Sequence, residues 1–375
     1  MADSIERSTV QVDLGERSYE IEISTGGLDT LAETLDAWSP ASEVRSAFIL
    51  TDRNLVDTHA QTVCRSLGRD GWRCDLAVVE PGERTKSLAV VADLYDKLIE
   101  MRADRKTVLV AVGGGVVGDC GGFVASSYLR GIPFVQVPTS LLAQVDSSVG
   151  GKVGVNHPQG KNLIGAFKQP LGVFIDTVVL DSLPERDYRS GLAEVVKYGV
   201  ILDADFFESL ENNIDGINSR TPQVLRHIIA RCCELKAQVV SEDECETKGL
   251  RAVLNYGHTF CHAFEALSGY GTLMHGEAVG IGMIYASRLA ERLGRIDAAV
   301  TERQRRLLEA LGLPVALPNA AELSADAILE SMRLDKKTEG GKLRFVLPSK
   351  LGRVEVVKDV PEEIVREVIE TLASR

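Results

Sequence analysis

The sequence predicts an α/β N-terminal domain with a mostly parallel sheet, followed by an all-α C-terminal domain. In the first half, short apolar runs alternate with amphipathic stretches, a pattern typical of parallel α/β sheets. A glycine-rich segment, GGGVVGD, directly follows one of these runs. Beyond about residue 183 the periodicity is helical, and Pro184 followed by acidic residues predicts a helix start. We therefore divide the chain into domains 1–183 and 184–375.

Five apolar runs predict the strands of the first domain. They are AFILTD (47–52), DLAVVEPGE (75–83), TVLVAVGGG (107–115), FVQVPTS (134–140) and VFIDTVVL (173–180). SLAVVADLYDKLIEMR, between the second and the third, has helical periodicity. Ligands of parallel sheets bind beyond the carboxyl ends of the strands, and here those ends carry polar or glycine-rich segments.

Helical periodicity dominates the second domain. The predicted helices are GLAEVVKYGVIL (191–202), QVLRHIIARCCELKAQVV (223–240), GHTFCHAFEALS (257–268), HGEAVGIGMIYASRLAERL (275–293) and EEIVREVIETLASR (362–375). The segment KLRFVLPSKLGRVEVVK (342–358) predicts a short hairpin.

Composition excludes several classes of protein. The chain has 375 residues and a formal net charge of -12, which argues against nucleic acid as a partner. No apolar run approaches the roughly 18 residues of a membrane span, and the N-terminus lacks the pattern of a signal peptide. Seven cysteines without CxxC spacing indicate reduced thiols, so we expect a cytoplasmic protein.

Gly113, Gly115 and Gly118 match the GxGxxG pattern of dinucleotide-binding turns. Such a turn brings backbone N–H groups close to a pyrophosphate at a helix N-terminus. The next strand ends in Pro-Thr-Ser, without an acidic residue for a ribose. The pattern predicts nucleotide binding by a Rossmann-like variant, and the alternative is that the glycines serve only close packing.

The segment EPGERTK (80–86) also follows a predicted strand. Glu83 could accept hydrogen bonds from ribose hydroxyls, and Lys86 could neutralise a phosphate. A plain helix N-terminus is an equally good interpretation of the spacing.

Three histidines lie close together in sequence, at His258, His262 and His275. His258 and His262 are four residues apart, so both lie on one helical face. Glu194 adds a carboxylate within an apolar helix, where an unpaired charge is costly. Histidines and a carboxylate are the ligands of catalytic zinc. The cluster therefore predicts a metal site, although spacing does not decide which two histidines bind, and a single buried histidine is commonly a core residue.

Basic residues recur in polar, glycine-rich phrases. Lys152 and Lys161 belong to a predicted loop with Asn156 and Asn162. Such a set could bind a phosphate and a carboxylate together. The alternative for every lysine is a solvated surface position.

Six segments, in this order, closely resemble the 3-dehydroquinate synthase family. They are GGGVVGDCGGFVASSYLRG, PTSLLAQVDSSVGGKVGVNHPQGKNLIGAF, SGLAEVVKYG, LRAVLNYGHTFCHAFE, HGEAVGIGM and LDKK, and the resemblance covers about 52–347. It implies conversion of 3-deoxy-D-arabino-heptulosonate 7-phosphate into 3-dehydroquinate and phosphate, the second step of the shikimate pathway. The implied steps are transient oxidation by NAD, β-elimination of phosphate, re-reduction, ring opening and intramolecular aldol closure. The implied cofactors are NAD and one divalent metal, usually zinc, with cobalt or another ion possible.

The resemblance also implies roles for individual residues. The zinc ligands would be Glu194, His258 and His275. The NAD contacts would be Asp52, Pro81, Gly82, Glu83, Arg84, Thr85, Lys86, Gly114, Gly115, Val116, Val117, Gly118, Asp119, Thr139, Ser140, Lys152, Lys161, Val179, Leu180, Asp181 and Ser182. The substrate and catalytic residues would be Asp146, Lys152, Asn162, Lys197, Lys236, Arg251, Asn255, His262, His275 and Lys336. Arg130 resembles an arginine that reaches a neighbouring subunit's site, which implies a homodimer. One extra residue between Glu246 and Arg251 leaves the roles of Glu246 and Lys248 open.

Three alternatives to this activity stay open at this point. A different sugar phosphate cyclase would make a valiolone or an amino-dehydroquinate, although Arg251, Asn255 and Lys336 with Lys337 favour a substrate with a carboxylate. A metal-dependent polyol dehydrogenase would release NADH. A non-enzymatic binding protein is disfavoured because no motif position is visibly degraded.

Overall fold

The computed structural model describes residues 5–39, 45–269, 272–318, 323–334 and 343–373. The chain folds into two compact units. The first comprises Met1–Leu183 and Leu225–Cys245, and the second comprises Pro184–Val224 and Glu246–Arg375. The division at residue 183 coincides with the boundary that we expected. Residues 225–245 do not follow that expectation, because they group with the first unit.

A seven-stranded sheet forms the centre of the first unit, in the order β1-β2-β9-β6-β5-β3-β4. The pair β1–β2 is antiparallel and every other pair in this sheet is parallel, as predicted for this domain. The strands are β1 (Arg7–Val12), β2 (Tyr19–Ser24), β3 (Ser46–Asp52), β4 (Arg73–Val79), β5 (Val108–Gly113), β6 (Phe134–Pro138) and β9 (Gly172–Asp176). All five predicted strands are present, and β1 and β2 were not predicted.

Helices of the first unit pack on both faces of this sheet. They are α1 (Leu31–Trp38), α2 (Gln61–Arg69), α3 (Leu88–Glu100) and α4 (Gly115–Ser127). Most of α8 (Pro222–Glu242) also belongs to this unit. Successive side chains of β3 point to opposite faces of the sheet. Phe48 and Leu50 belong to the core beneath α3 and α4, and Ala47 and Ile49 belong to the core beneath α1 and α2. Ser87 caps α3, its hydroxyl accepting the N–H of Val90.

Two local predictions in the first unit were wrong. The predicted loop around Lys152 and Lys161 is an antiparallel hairpin, β7 (Lys152–His157) and β8 (Gly160–Phe167). Its strands approach so closely that a Cβ at Gly154 would lie 2.7 Å from the carbonyl oxygen of Ile164. The last part of the fifth predicted strand is instead a 3₁₀ turn, Thr177–Ser182, because the Asp176 carboxylate accepts the N–H of Val178 and caps it.

The second unit is mainly helical, as predicted. Its helices are α5 (Glu185–Leu202), α6 (Ala204–Asn212), α7 (Ile214–Asn218), α9 (His258–Leu267), α10 (His275–Arg292), α11 (Ala298–Ala310), α12 (Ala325–Leu334) and α13 (Glu362–Ala373). The predicted hairpin is present as β10 (Arg344–Lys350) and β11 (Arg353–Lys358). Phe260 packs against Phe264, Tyr285 and Phe345 with ring centroids 5.4 to 6.2 Å apart, which fixes α9 on α10 and on the hairpin.

Throughout the described ranges, every helix is too short or too polar to span a membrane.

Candidate functional site

Glu194, His258 and His275 converge in the second unit. Glu194 lies in the middle of α5 and its side chain is 1% exposed, whereas the two histidines are the first residues of α9 and α10. The Nε2 atoms of His258 and His275 lie 3.5 and 3.7 Å from Oε1 of Glu194. One donor atom from each side chain lies within 4.8 Å of the other two. The three residues therefore form a candidate metal centre.

Glycines allow these helices to approach so closely. Gly276 follows His275, and its N–H donates to the hydroxyl of Ser190 at 3.0 Å. A Cβ on Gly276 would overlap the backbone carbonyl of Ser190, so only glycine lets α10 start against α5. Gly257 precedes His258 with a φ of 78°, in the left-handed region, and its added Cβ would lie 2.8 Å from the backbone nitrogen of Met283. Both histidines thus begin their helices at positions that require glycine beside them.

Hydrogen bonds at the opposite ring nitrogens orient both imidazoles. Nδ1 of His258 lies 3.1 Å from the carbonyl oxygen of Tyr256, and Nδ1 of His275 lies 3.4 Å from Oε1 of Glu265. Because the Nδ1 position faces an acceptor in each ring, the Nε2 lone pair is the one directed toward Glu194.

The donor set and its spacing fit zinc. Two imidazole nitrogens and one carboxylate oxygen are a known ligand set for catalytic zinc, which keeps a fourth position open for a substrate. Bonds of about 2.1 Å to a tetrahedral ion place two donors about 3.4 Å apart, close to the 3.5 and 3.7 Å observed.

Lys197 contacts the other oxygen of Glu194, one turn further along α5. Its ammonium pairs with Oε2 of Glu194, and the lysine side chain is 2% exposed. The ammonium also lies 5.4 Å from the centre of the Tyr198 ring. The contact holds one carboxylate oxygen and leaves Oε1 facing the histidines.

A second cluster shares His275. Sγ of Cys261 lies 3.9 Å from Nδ1 of His275 and 3.8 Å from Oε2 of Glu265. Burial alone would lower the pKa of His275, but hydrogen bonds with Cys261, Glu194 and Glu265 raise that pKa well above its ordinary value. A metal that binds Nε2 of His275 must therefore compete with a proton for this ring.

His262 belongs to neither cluster within the described residues. Its ring centroid lies 5.7 Å from that of His258, one turn along α9. In the same unit, Arg251 is 2% exposed, with Nε 3.7 Å from Oε1 of Glu246, and Asn255 ends the 3₁₀ turn Leu250–Asn255. Lys336, also expected at the site, lies outside the described residues, as does Lys337.

In the first unit, the glycine-rich turn joins β5 to α4. An added Cβ on Gly113 would lie 2.5 Å from Cβ of Val117, so packing by itself requires a glycine there. An added Cβ on Gly118 would lie 2.6 Å from the end of the Gln136 side chain, which would have to move aside. Helix α4 begins after Gly114, and no side chain caps its N-terminus. Uncapped N–H groups at a helix start suit an anion such as a pyrophosphate.

A polar network connects this turn to the PGERTK segment and to the β7–β8 hairpin. The ammonium of Lys86, 5% exposed, donates to Asp119 at 2.7 Å and also to Oδ1 of Asn162. Asn156 donates to Glu83 at 2.8 Å and accepts the N–H of Asn162 at 2.8 Å. Burial raises the pKa of Asp119 although Lys86 pairs with it. Four predicted contact residues, Glu83, Lys86, Asp119 and Asn162, are thereby brought together.

A second pair of predicted residues also meets in the first unit. Lys236, 7% exposed on α8, donates to the carboxylate of Asp146 at 2.9 Å and to its backbone carbonyl at 2.5 Å. On the same helix, Sγ of Cys233 approaches the carbonyl oxygen of Gln144 at 3.3 Å. Both contacts join α8 to the first unit.

The other predicted NAD contacts lie at strand ends and turns. Asp52 ends β3 and accepts the N–H of Asn54 at 2.8 Å, and burial raises its pKa. Ser182 ends the 3₁₀ turn that contains Val179, Leu180 and Asp181, and its hydroxyl lies 2.8 Å from Nε2 of His59. Thr85 and Thr139 are buried, Gly115, Val116 and Ser140 are half-buried, and Val117 is buried in α4; Pro81, Gly82, Arg84, Lys152 and Lys161 are exposed.

Sequence reasoning did not single out Glu265 or Cys261. Glu265 lies seven residues after His258, on the same helical face as His258 and His262. The spacing could therefore have indicated that Glu265 lies near the histidine cluster. No local pattern indicates that His275, on another helix, meets that face.

Two family models match consecutive parts of the chain. The 3-dehydroquinate synthase N-terminal model matches residues 76–190, and the C-terminal model matches residues 191–338. The curated 3-dehydroquinate synthase of Desulforamulus reducens is 49% identical over 354 residues, which is 94% of this chain and 97% of that protein.

Two solved structures share the architecture. A 2-deoxy-scyllo-inosose synthase, complexed with carbaglucose-6-phosphate, NAD⁺ and Co²⁺, is 29% identical with a TM-score of 0.86 over 97% of this chain and all of that one. The 2-epi-5-epi-valiolone synthase of Streptomyces hygroscopicus, with NAD⁺ and Zn²⁺ bound, is 27% identical with a TM-score of 0.86, over 96% of this chain and 98% of its own.

Proposed function

The chain belongs to the 3-dehydroquinate synthase family, and we propose that it converts 3-deoxy-D-arabino-heptulosonate 7-phosphate into 3-dehydroquinate and phosphate. This is the second step of the shikimate pathway. The observation that carries the proposal is the match of both family models, which together run from residue 76 to residue 338. The convergence of Glu194, His258 and His275 supports it, because the reaction needs a metal site of this kind.

We assign the metal, zinc or another divalent ion such as cobalt, to Glu194, His258 and His275, and NAD to the strand ends of the first unit. When bound, the ion would supply Lewis acidity to a substrate hydroxyl, and NAD would supply reversible hydride transfer. The uncapped start of α4 after Gly114 supports a pyrophosphate there. The polar network around Lys86 would fix the turns that border it.

Side chains of this chain would bind the substrate and guide its protons. In the first unit the proposed contacts are Asp146, Lys152, Asn162 and Lys236. In the second they are Lys197, Arg251, Asn255 and His262, with Lys336 outside the described residues. Ammonium and guanidinium groups suit phosphate and carboxylate oxygens. Asp146 could relay the proton of the carbon 5 hydroxyl, because its carboxylate is already oriented by Lys236.

The test is phosphate release with catalytic NAD and zinc, with NADH absorbance followed in the same cuvette. One phosphate per substrate without accumulating NADH, abolished by a chelator and restored by zinc, is the expected result. No phosphate from fully metallated protein would reject this substrate, and other sugar phosphates would be tried next. Steady accumulation of NADH with a polyol would instead indicate a dehydrogenase.

We further propose that the protein acts in the cytoplasm as a homodimer, with Arg130 reaching a second copy. Arg130 is exposed and has a φ of 67°, and its neighbour Leu129 is 41% exposed with a φ of 49°. Left-handed conformations at two consecutive non-glycine residues are costly and suit a segment that is held by a contact. Light scattering in solution would give twice the 40.7 kDa chain mass, and a monomeric mass would contradict the proposal.

A further inference from the structure

The two ring nitrogens of His275 face two different carboxylates. Nε2 lies 3.7 Å from Oε1 of Glu194, and Nδ1 lies 3.4 Å from Oε1 of Glu265. Glu194 is on α5 and Glu265 is on α9, so the ring of His275 lies between two helices. Glu194 also contacts His258, with its Oε1 3.5 Å from Nε2 of that residue.

His258 is oriented differently. Its Nδ1 faces the backbone carbonyl of Tyr256 at 3.1 Å, an acceptor only two residues away that no side-chain substitution removes. The corresponding acceptor of His275 is a side chain on another helix. Glu265 is 12% exposed, and a carboxylate that is so well shielded from water requires polar partners.

We propose that Glu265 is a positioning residue, whose carboxylate accepts the Nδ1–H of His275 and keeps Nε2 directed at the metal. The inference rests on the proposed metal site. Carboxylates behind a ligating histidine fix its tautomer and its ring orientation and make it a stronger donor, and their loss typically weakens metal binding about 10- to 100-fold.

The competing arrangement is a metal held by Cys261, Glu265 and His275 themselves. Their donor atoms also lie within 4.8 Å of one another. That site would use Nδ1 of His275 and a thiolate, whereas Cys261 is completely buried. The two arrangements make opposite predictions for Cys261→Ala, which leaves the first site intact and removes a ligand from the second.

The experiment measures Zn²⁺ and Co²⁺ affinities by competition with a chelator, on the full-length protein without substrate. The variants are Glu265→Ala, Glu265→Gln and Cys261→Ala. Glu291→Gln is the matched control, since Glu291 is 16% exposed on the helix of His275 and pairs with Arg288 instead. Thermal unfolding of each metal-free variant checks that it is folded.

We expect Glu265→Ala to weaken both affinities about 10- to 100-fold. Glu265→Gln keeps an acceptor without the charge and lies between Glu265→Ala and the wild type, which keeps the test valid if the alanine variant does not fold. Glu291→Gln and Cys261→Ala stay within about twofold of the wild type, inside the usual scatter for sites that do not touch the ion.

Wild-type affinity in both Glu265 variants would overturn the inference and leave the metal site itself standing. Loss of metal binding in Cys261→Ala, together with a thiolate-to-cobalt absorption band in the wild type, would also overturn the inference. These results would assign the metal to the cluster of Cys261, Glu265 and His275. If the wild type binds neither ion, the proposed metal function fails, and the inference falls with it.

Discussion

The substitution Gly276→Ala tests whether close helix packing builds the metal centre. An added Cβ would lie 2.5 Å from the carbonyl carbon of Ser190 and would overlap its oxygen, whereas ordinary contacts start at about 3.4 Å. The obstacle is backbone inside α5, which no rotamer change can move away. The start of α10 must therefore retreat from α5 by at least about 0.9 Å, and the hydrogen bond from Gly276 to Ser190 weakens as it does.

The retreat would act directly on the neighbouring ligand. Nε2 of His275 lies 3.7 Å from Oε1 of Glu194, already near the upper limit for two donors of one tetrahedral zinc. A further 0.9 Å or more would bring that separation to at least about 4.6 Å, too wide for both to bind at about 2.1 Å. We expect at least a tenfold loss of zinc affinity, together with about 1–3 kcal/mol of lost stability from overpacking.

Gly280→Ala is the matched control, because it places the same methyl group one turn further along the same helix. There the added Cβ would lie 3.4 Å from the carbonyl oxygen of Pro314 and 3.8 Å from Leu308, in ordinary contact. Replacing a glycine inside a helix should then raise stability by about 0.5–1 kcal/mol. Chelator competition and thermal unfolding measure both effects, and a Gly276→Ala protein with the control's zinc affinity and stability would refute this reasoning.

Two further predictions concern the metal centre and the Lys236–Asp146 pair. Hydrogen bonds raise the pKa of His275, and a metal must displace the proton of this ring. Below that pKa, the apparent zinc affinity should therefore rise about tenfold for each unit of increasing pH. A zinc affinity that does not change with pH would contradict this prediction. Lys236→Met removes an ammonium that orients Asp146, and it should lower kcat/KM at least tenfold without loss of zinc. The control Lys97→Met, at an exposed position, should change neither quantity. A fully active Lys236→Met enzyme would argue against a role for the Lys236–Asp146 pair.

The central parallel strands β3, β5, β6 and β9 were predictable because each is a short, nearly continuous apolar run, buried on both faces. β1 and β2 were missed for the same reason. RSTVQV, at the edge of the sheet, and YEIEIS, between β1 and β9, intersperse polar residues among the apolar ones and so contain no such run. Helix α8 shows a different limit. Its sequence predicts an amphipathic helix, but an apolar face alone does not indicate which unit the helix will pack against.

For the histidine cluster, sequence spacing alone does not predict which residues bind the metal. His258 and His262 share a helical face, and that spacing alone makes them the natural pair. The pair that meets Glu194 in the folded chain is instead His258 with His275, from two helices that start beside each other. What selects them is non-local: a glycine at each helix start, and an acceptor behind each ring that turns Nε2 toward the carboxylate. A site assembled from helix starts therefore depends on the packing of the backbone as much as on its ligands, which is why a methyl group at Gly276 should disturb it without touching any donor atom.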